Sequence, residues 1–334
     1  MCETACPVDI NTGDLVRRLR AQEAGAAPNA LWGAAAGRWD LATGAASTAI
    51  SAAGQLPAVL PRAATDVGRA LLGAETVPQY RPELPRRGGS GRRGGGRGRA
   101  SADVAAVYLP GCVHTMFGAA GSSPGVPAAL DLLAQRAGMR LAVPDEAASL
   151  CCGTPFSSKG MRAAKETMRQ RVRRALLAAS GDGALPVVVD AASCTEGVVG
   201  ALEGTGIEVV DAVTWVRRHL LGHLPVRQRA GSVTVHPTCS TTRLGAGEDL
   251  VAIAAACAAE VVVPVAWGCC AYAGDRGMLH PELTASATAA EAAEVAAHRT
   301  DWYVSANRTC ELGMQAATGQ EYRHVLELLE AVTR

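Results

Sequence analysis

Residues 187–194 read VVVDAASC, three consecutive valines followed closely by a cysteine. A short β-branched run of this kind predicts a buried strand, so the cysteine falls just beyond the strand's carboxyl end. Similar runs recur, and we predict strands at residues 104–109, 140–143, 186–190, 207–210, 232–235, 261–265 and 302–305. Alanine-rich segments with helical spacing separate them, such as 248–259 and 282–297. This alternation predicts an α/β fold of mainly parallel sheets flanked by helices.

The cysteines form an internal repeat, in which each copy has a single cysteine, an adjacent pair and a second single cysteine. The two copies are Cys112, Cys151, Cys152 and Cys194, and then Cys239, Cys269, Cys270 and Cys310. Each of them follows a predicted strand. Because the carboxyl ends of parallel strands meet at one edge of a sheet, we expect each set of four to converge. Cys257, inside the helical run VAIAAACAAE, has no counterpart in the first copy and is interpreted as a core residue.

Four converging thiolates indicate an iron–sulfur cluster, because cluster iron takes cysteine sulfur and accepts ligands that are far apart in sequence. Zinc is the competing metal, although structural zinc sites commonly use C-x2-C pairs, which neither copy contains. The remaining alternative is buried, unligated cysteine, which behaves as a small hydrophobe. A disulfide framework is not expected in a large cytosolic chain, because cytosolic thiols stay reduced.

The first ten residues, MCETACPVDI, contain a weaker signal. Cys2, Cys6 and Pro7 match the end of the C-x2-C-x2-C-x3-C-P run that binds clusters in bacterial-type ferredoxins. The first two cysteines of that run would lie before Met1. We therefore expect a further cluster here only if additional N-terminal sequence or another chain completes the site.

Length and composition restrict the class of protein. A chain of 334 residues suits two or three domains, and 49% of its residues are apolar although only 4% are aromatic. A net charge of +1 provides no overall field for nucleic acid or a membrane surface. The longest apolar stretch, residues 251–267, is interrupted by Glu260 and Pro264, and neither a transmembrane helix nor a signal peptide is expected. These features predict a cytoplasmic protein.

We divide the chain into four parts: a helical segment with the partial ferredoxin motif at 1–80, an Arg/Gly-rich linker at 81–103, and two α/β domains at 104–228 and 229–334. Helical spacing at residues 14–20 and 64–72 supports the first part. The linker contains almost no apolar residue and is expected to be disordered. Such a segment can also bind nucleic acid or acidic lipid, but a solvated linker explains it as well, and no nucleic-acid partner is expected.

Several motifs carry a resemblance to known proteins: CETACPV (2–8), INTGDLV (10–16), YLPGC (108–112), VVVDAASCT (187–195), GCCAYAGDRG (268–277) and YVSANRTCELGM (303–314). The sequence resembles the cysteine-rich CCG-domain family, which includes heterodisulfide reductase subunits, glycolate oxidase iron–sulfur subunits and flavin-linked dehydrogenases. More narrowly, residues 1–20 and about 104–334 are similar to the C-terminal iron–sulfur half of bacterial FAD-dependent D-lactate dehydrogenases.

The resemblance implies an electron-transfer role. In this family a FAD domain oxidises D-lactate or a related 2-hydroxyacid, and the iron–sulfur segments pass the electrons to a cytochrome or quinone. The present sequence has no part of the FAD domain, so the resemblance implies a FAD-bearing partner, one or two 4Fe-4S clusters in the CCG modules, and contact with the inner face of the membrane. The alternatives are a heterodisulfide-reductase-like thiol–disulfide oxidoreductase and a zinc-stabilised interaction protein without a redox role.

Two departures from the family pattern matter. The family closes each module with C-x2-C, but Ala191 and Asn307 stand where the first cysteine of that pair belongs, so each module keeps four thiols. The second module reads CCA, with Ala271 in place of glycine. Because its side chain is small, we expect the tight turn to survive.

Other polar residues near the cysteines allow two interpretations. His114 and His236 either ligate or hydrogen-bond a cluster, or are solvated loop residues. Asp275, Arg276 and Arg308 either stabilise the charge of a cluster or form structural ion pairs. No residue of this chain is assigned a catalytic role on the substrate.

Overall fold

The computed structural model describes residues 12–85, 87–89 and 104–334. Cys2, Cys6 and most of the Arg/Gly-rich segment lie outside these ranges. Four helices come first: α1 (Thr12–Glu23), α2 (Ala26–Gly37), α3 (Trp39–Gly54) and α4 (Val59–Leu72). The helices predicted at 14–20 and 64–72 lie within α1 and α4 and are confirmed. Among the helices in the described ranges, none combines the length and apolarity needed to cross a membrane.

A first parallel sheet follows, with strand order β2-β1-β3-β4. Its strands are β1 (Ala106–Leu109), β2 (Leu141–Ala142), β3 (Val187–Val189) and β4 (Val209–Asp211). Its helices are α5 (Val113–Met116), α6 (Val126–Arg136), α7 (Thr154–Ser158), α8 (Arg162–Ser180), α9 (Ala192–Ala201) and α10 (Ala212–His219). We call β1 through α10 the first module.

The second module, β5 through α16, has the same order of elements. Its parallel sheet has the order β6-β5-β7-β8 and contains β5 (Ala230–Val235), β6 (Ala258–Val262), β7 (Trp302–Ser305) and β8 (Tyr322–His324). Its helices are α11 (Cys239–Arg243), α12 (Gly247–Cys257), α13 (Arg276–Leu279), α14 (Pro281–Ala297), α15 (Arg308–Thr318) and α16 (Val325–Val332). Each element therefore has a counterpart: β1 corresponds to β5, α5 to α11, and so on to α10 and α16. The α/β prediction with two similar modules is confirmed.

Two details of the strand and helix predictions were wrong. The helix expected over 248–259 ends at Cys257, because Ala258 begins β6 and pairs with Ala230 of β5. The strand expected over 261–265 accordingly ends at Val262. Strand β8 was not predicted, because only three residues form it and two of them, Arg323 and His324, are polar.

Successive side chains of a strand point to opposite faces of the first sheet, and a separate hydrophobic core lies on each face. Ala106 and Tyr108 of β1 point into a core that also contains Val233 and Val304 of the second module. Val107, the residue between them, points to the other face, where α8 and α9 pack. Burial of a valine side chain in such a core contributes about 1.5–3 kcal/mol to the stability of the fold. Because one continuous core joins them, the two modules stabilise each other.

The contacts between the modules are reciprocal. Helix α10 of the first module packs on α12 of the second, and their counterparts α16 and α6 pack on each other. The same holds for α9 with α11 and for α15 with α5. At the end of α6, Arg136 Nη2 lies 2.7 Å from the buried Glu330 Oε1 of α16. The modules therefore meet through equivalent surfaces.

The N-terminal helices cover both modules. Helix α2 packs on α8, and α3 packs on α5. The guanidinium of Arg171 donates to the carbonyl of Ala36 at 2.6 Å, and that of Arg69 donates to the carbonyl of Leu279 at 2.9 Å. Helix α8 of the first module and helix α13 of the second are thereby both tied to the helical segment.

Candidate metal centres

In the first module, four cysteines come together at the carboxyl end of the sheet. Cys112 follows β1 and precedes α5, Cys151 and Cys152 lie between β2 and α7, and Cys194 lies in the first turn of α9. Cys151 is hydrogen-bonded to Cys112 and Cys152, and Cys152 is hydrogen-bonded to Cys194. Only Cys152 of the four is more than marginally exposed. We call these four residues the first quartet.

The thiols of the first quartet perturb one another strongly. Hydrogen bonds to Cys112 and Cys152 raise the pKa of Cys151, and the bond to Cys152 raises the pKa of Cys194. The bonds from Cys151 and Cys194 hold the pKa of Cys152 well below its usual range. Several thiolates in one buried space repel each other unless a cation lies among them. The first quartet therefore fits a metal or cluster better than it fits four free thiols.

The second quartet, Cys239, Cys269, Cys270 and Cys310, occupies the corresponding place in the second module. The Sγ atoms of Cys270 and Cys310 are 3.1 Å apart, which is longer than a disulfide bond of about 2.05 Å. The neighbouring Cys269 thiol lowers the pKa of Cys239 to about 6, and the neighbouring Cys310 thiol and His236 imidazole lower the pKa of Cys270 to about 5. None of the nine cysteines in the described ranges forms a disulfide.

The four single cysteines lie where helices begin. Cys112 is the residue before α5, Cys239 is the first residue of α11, and Cys194 and Cys310 are the third residues of α9 and α15. Backbone N–H groups in a first helical turn stabilise negative charge. Both quartets thus lie in surroundings that favour thiolates and an anionic cluster.

The turn after each adjacent cysteine pair is left-handed. Gly153 has φ +87°, and its counterpart Ala271 has φ +53°. The expectation that the small Ala271 preserves the tight turn is therefore confirmed, although alanine adopts this conformation at a cost that glycine avoids.

A close approach also shapes the first quartet. A Cβ atom on Gly197 of α9 would lie 2.7 Å from the carbonyl oxygen of Cys152. Only a glycine at this position lets α9, which carries Cys194, come this near to the cysteine pair. Gly197 was not predicted, because its spacing from the cysteines has no recognisable pattern.

The two histidines are buried, so their interpretation as solvated loop residues was wrong. Nε2 of His114 lies 3.5 Å from Oδ1 of Asp190, which also accepts the N–H of Gly111 at 2.6 Å. Burial opposes the charge of His114, but Asp190 outweighs it and raises the pKa of the imidazole. Nδ1 of His236 lies 2.8 Å from Oε1 of Glu291, which is itself only 2% exposed. Burial again opposes the charge, yet Cys270 and Glu291 raise the pKa of His236 to about 9.

Two of the three charged residues singled out in the sequence, Arg308 and Asp275, have ion-pair partners. Arg308 is buried, donates to Glu311 Oε2 at 2.9 Å and donates to the carbonyl of Gly118 at 2.7 Å. Asp275 pairs with Lys159 of the first module at 2.7 Å. These contacts support the structural interpretation of Arg308 and Asp275, while Arg276 is simply the first residue of α13.

The two positions that lack the family's additional cysteine lie at the starts of helices. Ala191 and Asn307 immediately precede α9 and α15, and both are buried. The Asn307 side chain donates to Oγ of Ser193 at 3.0 Å, a contact between the two modules. Asn307 therefore helps to hold the modules together at the edge where both quartets lie.

Two buried carboxylates were also missed by the sequence analysis. Asp190 follows β3 directly, and Glu291 lies in the alanine-rich helix α14. Glu291 shares the buried face of α14 with Thr284, Thr288 and Val295, and this helical spacing was the available signal, because a buried carboxylate needs a partner. Asp190 offered a similar signal within VVVDAASC.

Helix α5 is shared by the surroundings of the two quartets. Val113 and Met116 pack against the core that contains Cys112 and Cys151, and also against the core that contains Cys270 and Cys310. Apolar side chains of one short helix therefore contact the surroundings of both sites.

The fold and the quartets define a class of protein, a duplicated cysteine-rich α/β protein whose thiols are grouped for metal or iron–sulfur binding. In agreement, the family model for the cysteine-rich domain, CCG, matches residues 106–197 and 233–315. These matches of 92 and 83 residues cover 175 of the 334 residues. The chain belongs to the cysteine-rich domain family and contains two copies of the domain. No curated protein matches the chain.

Proposed function

We propose that this chain is the iron–sulfur part of a FAD-linked dehydrogenase that oxidises D-lactate or another D-2-hydroxyacid, with a 4Fe-4S cluster on each quartet. The observation that carries the proposal is the grouping of the thiols into two quartets whose surroundings share the side chains of α5. A bound cluster would accept and release single electrons. The cysteines would hold it, the first turns of the helices would stabilise its negative charge, and Val113 and Met116 would exclude water.

The proposal includes partners that this chain does not contain. The substrate chemistry requires a FAD-bearing domain or subunit, and a cytochrome or quinone would receive the electrons. The N-terminal helices support a protein partner, because they expose many large apolar side chains. The more exposed ones are Leu15, Leu31, Leu41, Val59, Leu60, Val67, Leu71 and Leu72. A cytoplasmic location with contact to the inner face of the membrane, and a further cluster on Cys2 and Cys6 completed by other residues, belong to the same proposal.

Metal analysis of anaerobically purified protein tests the cluster assignment. We expect iron and acid-labile sulfide in the wild type, and about half of each in Cys112→Ser and in Cys310→Ser, because each variant disrupts one quartet. Cys257→Ala is the matched control, since Cys257 is buried in the core shared by the modules and outside both quartets. Stoichiometric zinc without labile sulfide would contradict the proposal and favour a zinc-stabilised interaction protein.

Electron transfer is tested separately by mixing the cluster-loaded protein with a FAD-containing dehydrogenase encoded beside it. We expect D-lactate-dependent dye reduction that is lost in Cys112→Ser and kept in Cys257→Ala. Failure of this transfer together with reduction of a disulfide substrate would instead establish a heterodisulfide-reductase-like activity.

A further inference from the structure

The second quartet has a nitrogen donor beside it. The imidazole of His236 is completely buried, and its Nδ1 lies 2.8 Å from the Glu291 carboxylate. Its other nitrogen, Nε2, is also buried and makes no hydrogen bond to any residue in the described ranges. A buried imidazole nitrogen in this state is unusual, because buried polar atoms are normally paired.

The unpaired nitrogen is close to two of the cysteines. An imidazole nitrogen of His236 and the Sγ atoms of Cys270 and Cys310 all lie within 4.8 Å of one another. Donor atoms at such mutual distances can bind one metal ion. Because Glu291 occupies Nδ1, Nε2 is the nitrogen that remains for this role.

Glu291, the partner of Nδ1, is placed like a residue that supports a metal ligand without touching the metal. Histidines that ligate metals almost always give their other ring N–H to a carboxylate or carbonyl, which fixes the tautomer and the orientation of the ring. Glu291 lies on α14 and contacts Nδ1 of His236, which leaves Nε2 for the cysteines. The carboxylate therefore orients the imidazole toward the second quartet.

Among the described residues, no histidine nitrogen groups with the cysteines of the first quartet in this way. His236 stands three residues before Cys239, and the residue three before Cys112 is Leu109, whose side chain is apolar. The histidine near the first quartet, His114, faces the carboxylate of Asp190 instead. The duplicated modules thus differ at one corresponding position in the chemistry that they offer a metal.

We infer that His236 ligates the metal centre of the second module through Nε2, as a fifth donor beside Cys239, Cys269, Cys270 and Cys310. The inference rests on the proposed function only for the identity of the metal as iron. An added imidazole donor changes the electron density at the iron that it binds, and with it the reduction potential of the centre. The two centres of the chain would then differ in reduction potential.

Pulsed EPR on the reduced, cluster-loaded full chain tests this directly. We expect a nitrogen coupling of the strength seen for directly bound imidazole, which changes to the ¹⁵N pattern when the protein is made with ¹⁵N-histidine. This measurement needs no substitution, so it does not depend on whether a variant folds. Absence of the coupling, or only the weak coupling of a hydrogen-bonded imidazole, would overturn the inference.

His236→Leu, which reproduces the residue of the first module, supplies the second readout. We expect loss of the nitrogen coupling and a shifted potential for one centre only, as measured by redox titration. His114→Leu is the matched control and should leave the coupling in place. An unchanged spectrum in His236→Leu would also overturn the inference.

Metal analysis separates this outcome from failure of the proposed function. If the protein contains zinc and no labile sulfide, the electron-transfer proposal fails. X-ray absorption at the zinc edge then tests the ligation by His236. A zinc–nitrogen contribution that disappears in His236→Leu supports the inference, and sulfur-only coordination overturns it.

Discussion

Asp211 and His324 occupy the same position in the two modules, the residue before the last helix, and each caps that helix with its side chain. Oδ1 of Asp211 accepts the N–H of Val213 at 3.0 Å, and Nδ1 of His324 accepts the N–H of Leu326 at 3.2 Å. Both side chains are buried, and burial shifts their pKa values in opposite directions. The pKa of Asp211 rises to about 7 and that of His324 falls to about 3. The same backbone task is therefore done by an acid in one module and by a base in the other.

Asp211→Asn should stabilise the protein increasingly as the pH rises. In the folded state Asp211 stays protonated up to about pH 7, whereas in the unfolded state it loses its proton near its ordinary pKa. Its contribution to the free energy of unfolding is therefore lost as the pH rises. Between pH 5.5 and 7 this loss is roughly 2 kcal/mol, and asparagine, which keeps the cap, avoids it. Denaturant unfolding across this range measures the difference. A difference that shrinks with rising pH would contradict the assignment.

His324→Asn should show the opposite pH dependence. The unfolded state takes up a proton on this histidine below pH about 6.5, whereas the folded state does not, so the wild type loses stability as the pH falls. From pH 6.5 to 5.5 the variant should gain roughly 1 kcal/mol on the wild type. The same unfolding series measures this gain, and only its dependence on pH is diagnostic, because the smaller side chain also leaves a cavity.

Ala271→Gly should stabilise the second module. The left-handed conformation of Ala271 costs about 1 kcal/mol for a residue with a Cβ atom, and glycine removes that cost. The reciprocal change, Gly153→Ala, should destabilise by a similar amount. At Gly153 the nearest atom to an added Cβ would be 3.8 Å away, so the effect comes from the backbone alone. Thermal unfolding of both variants checks the two signs, and shifts in the same direction would refute the argument.

Gly197→Ala should damage the first quartet selectively. The added methyl group would press on the Cys152 carbonyl at 2.7 Å and force α9, with Cys194, away from the cysteine pair. We expect about half of the wild-type metal content, measured by elemental analysis. Gly200→Ala in the same helix is the matched control, because nothing lies within 4 Å of its added Cβ, and it should keep the full metal content. Equal metal in both variants would count against the close approach.

The sequence predicted the sheets well where the strands are apolar and the cysteines follow them. VVVDAASC places β3 and Cys194 correctly, because three buried valines allow few alternatives. The start of β6 was missed because Ala258 and Ala259 have helical character, and pairing with β5 overrides that preference. Local preference cannot reveal such long-range pairing.

The candidate site was less predictable than the fold. The grouping of the cysteines could be predicted, because they follow strands of parallel sheets and the repeat shows which four belong together. The roles of His236 and Glu291 depend on a contact between residues 55 positions apart. The environment of His114 depends on Asp190, which is far from it in sequence. Whether such a histidine lies in water or inside the protein is decided by packing, and its nearest neighbours in sequence do not show it.

The reciprocal packing of α10 on α12 and of α16 on α6 has a consequence for the origin of the chain. Equivalent surfaces that meet in this way are those of an isologous dimer, in which two identical subunits cover each other's apolar face. Duplication and fusion of a gene for such a homodimer would produce the present arrangement, and later divergence would give the halves different residues such as Leu109 and His236. A protein with a single module of this kind would have to pair with a second copy of itself to bury the same face.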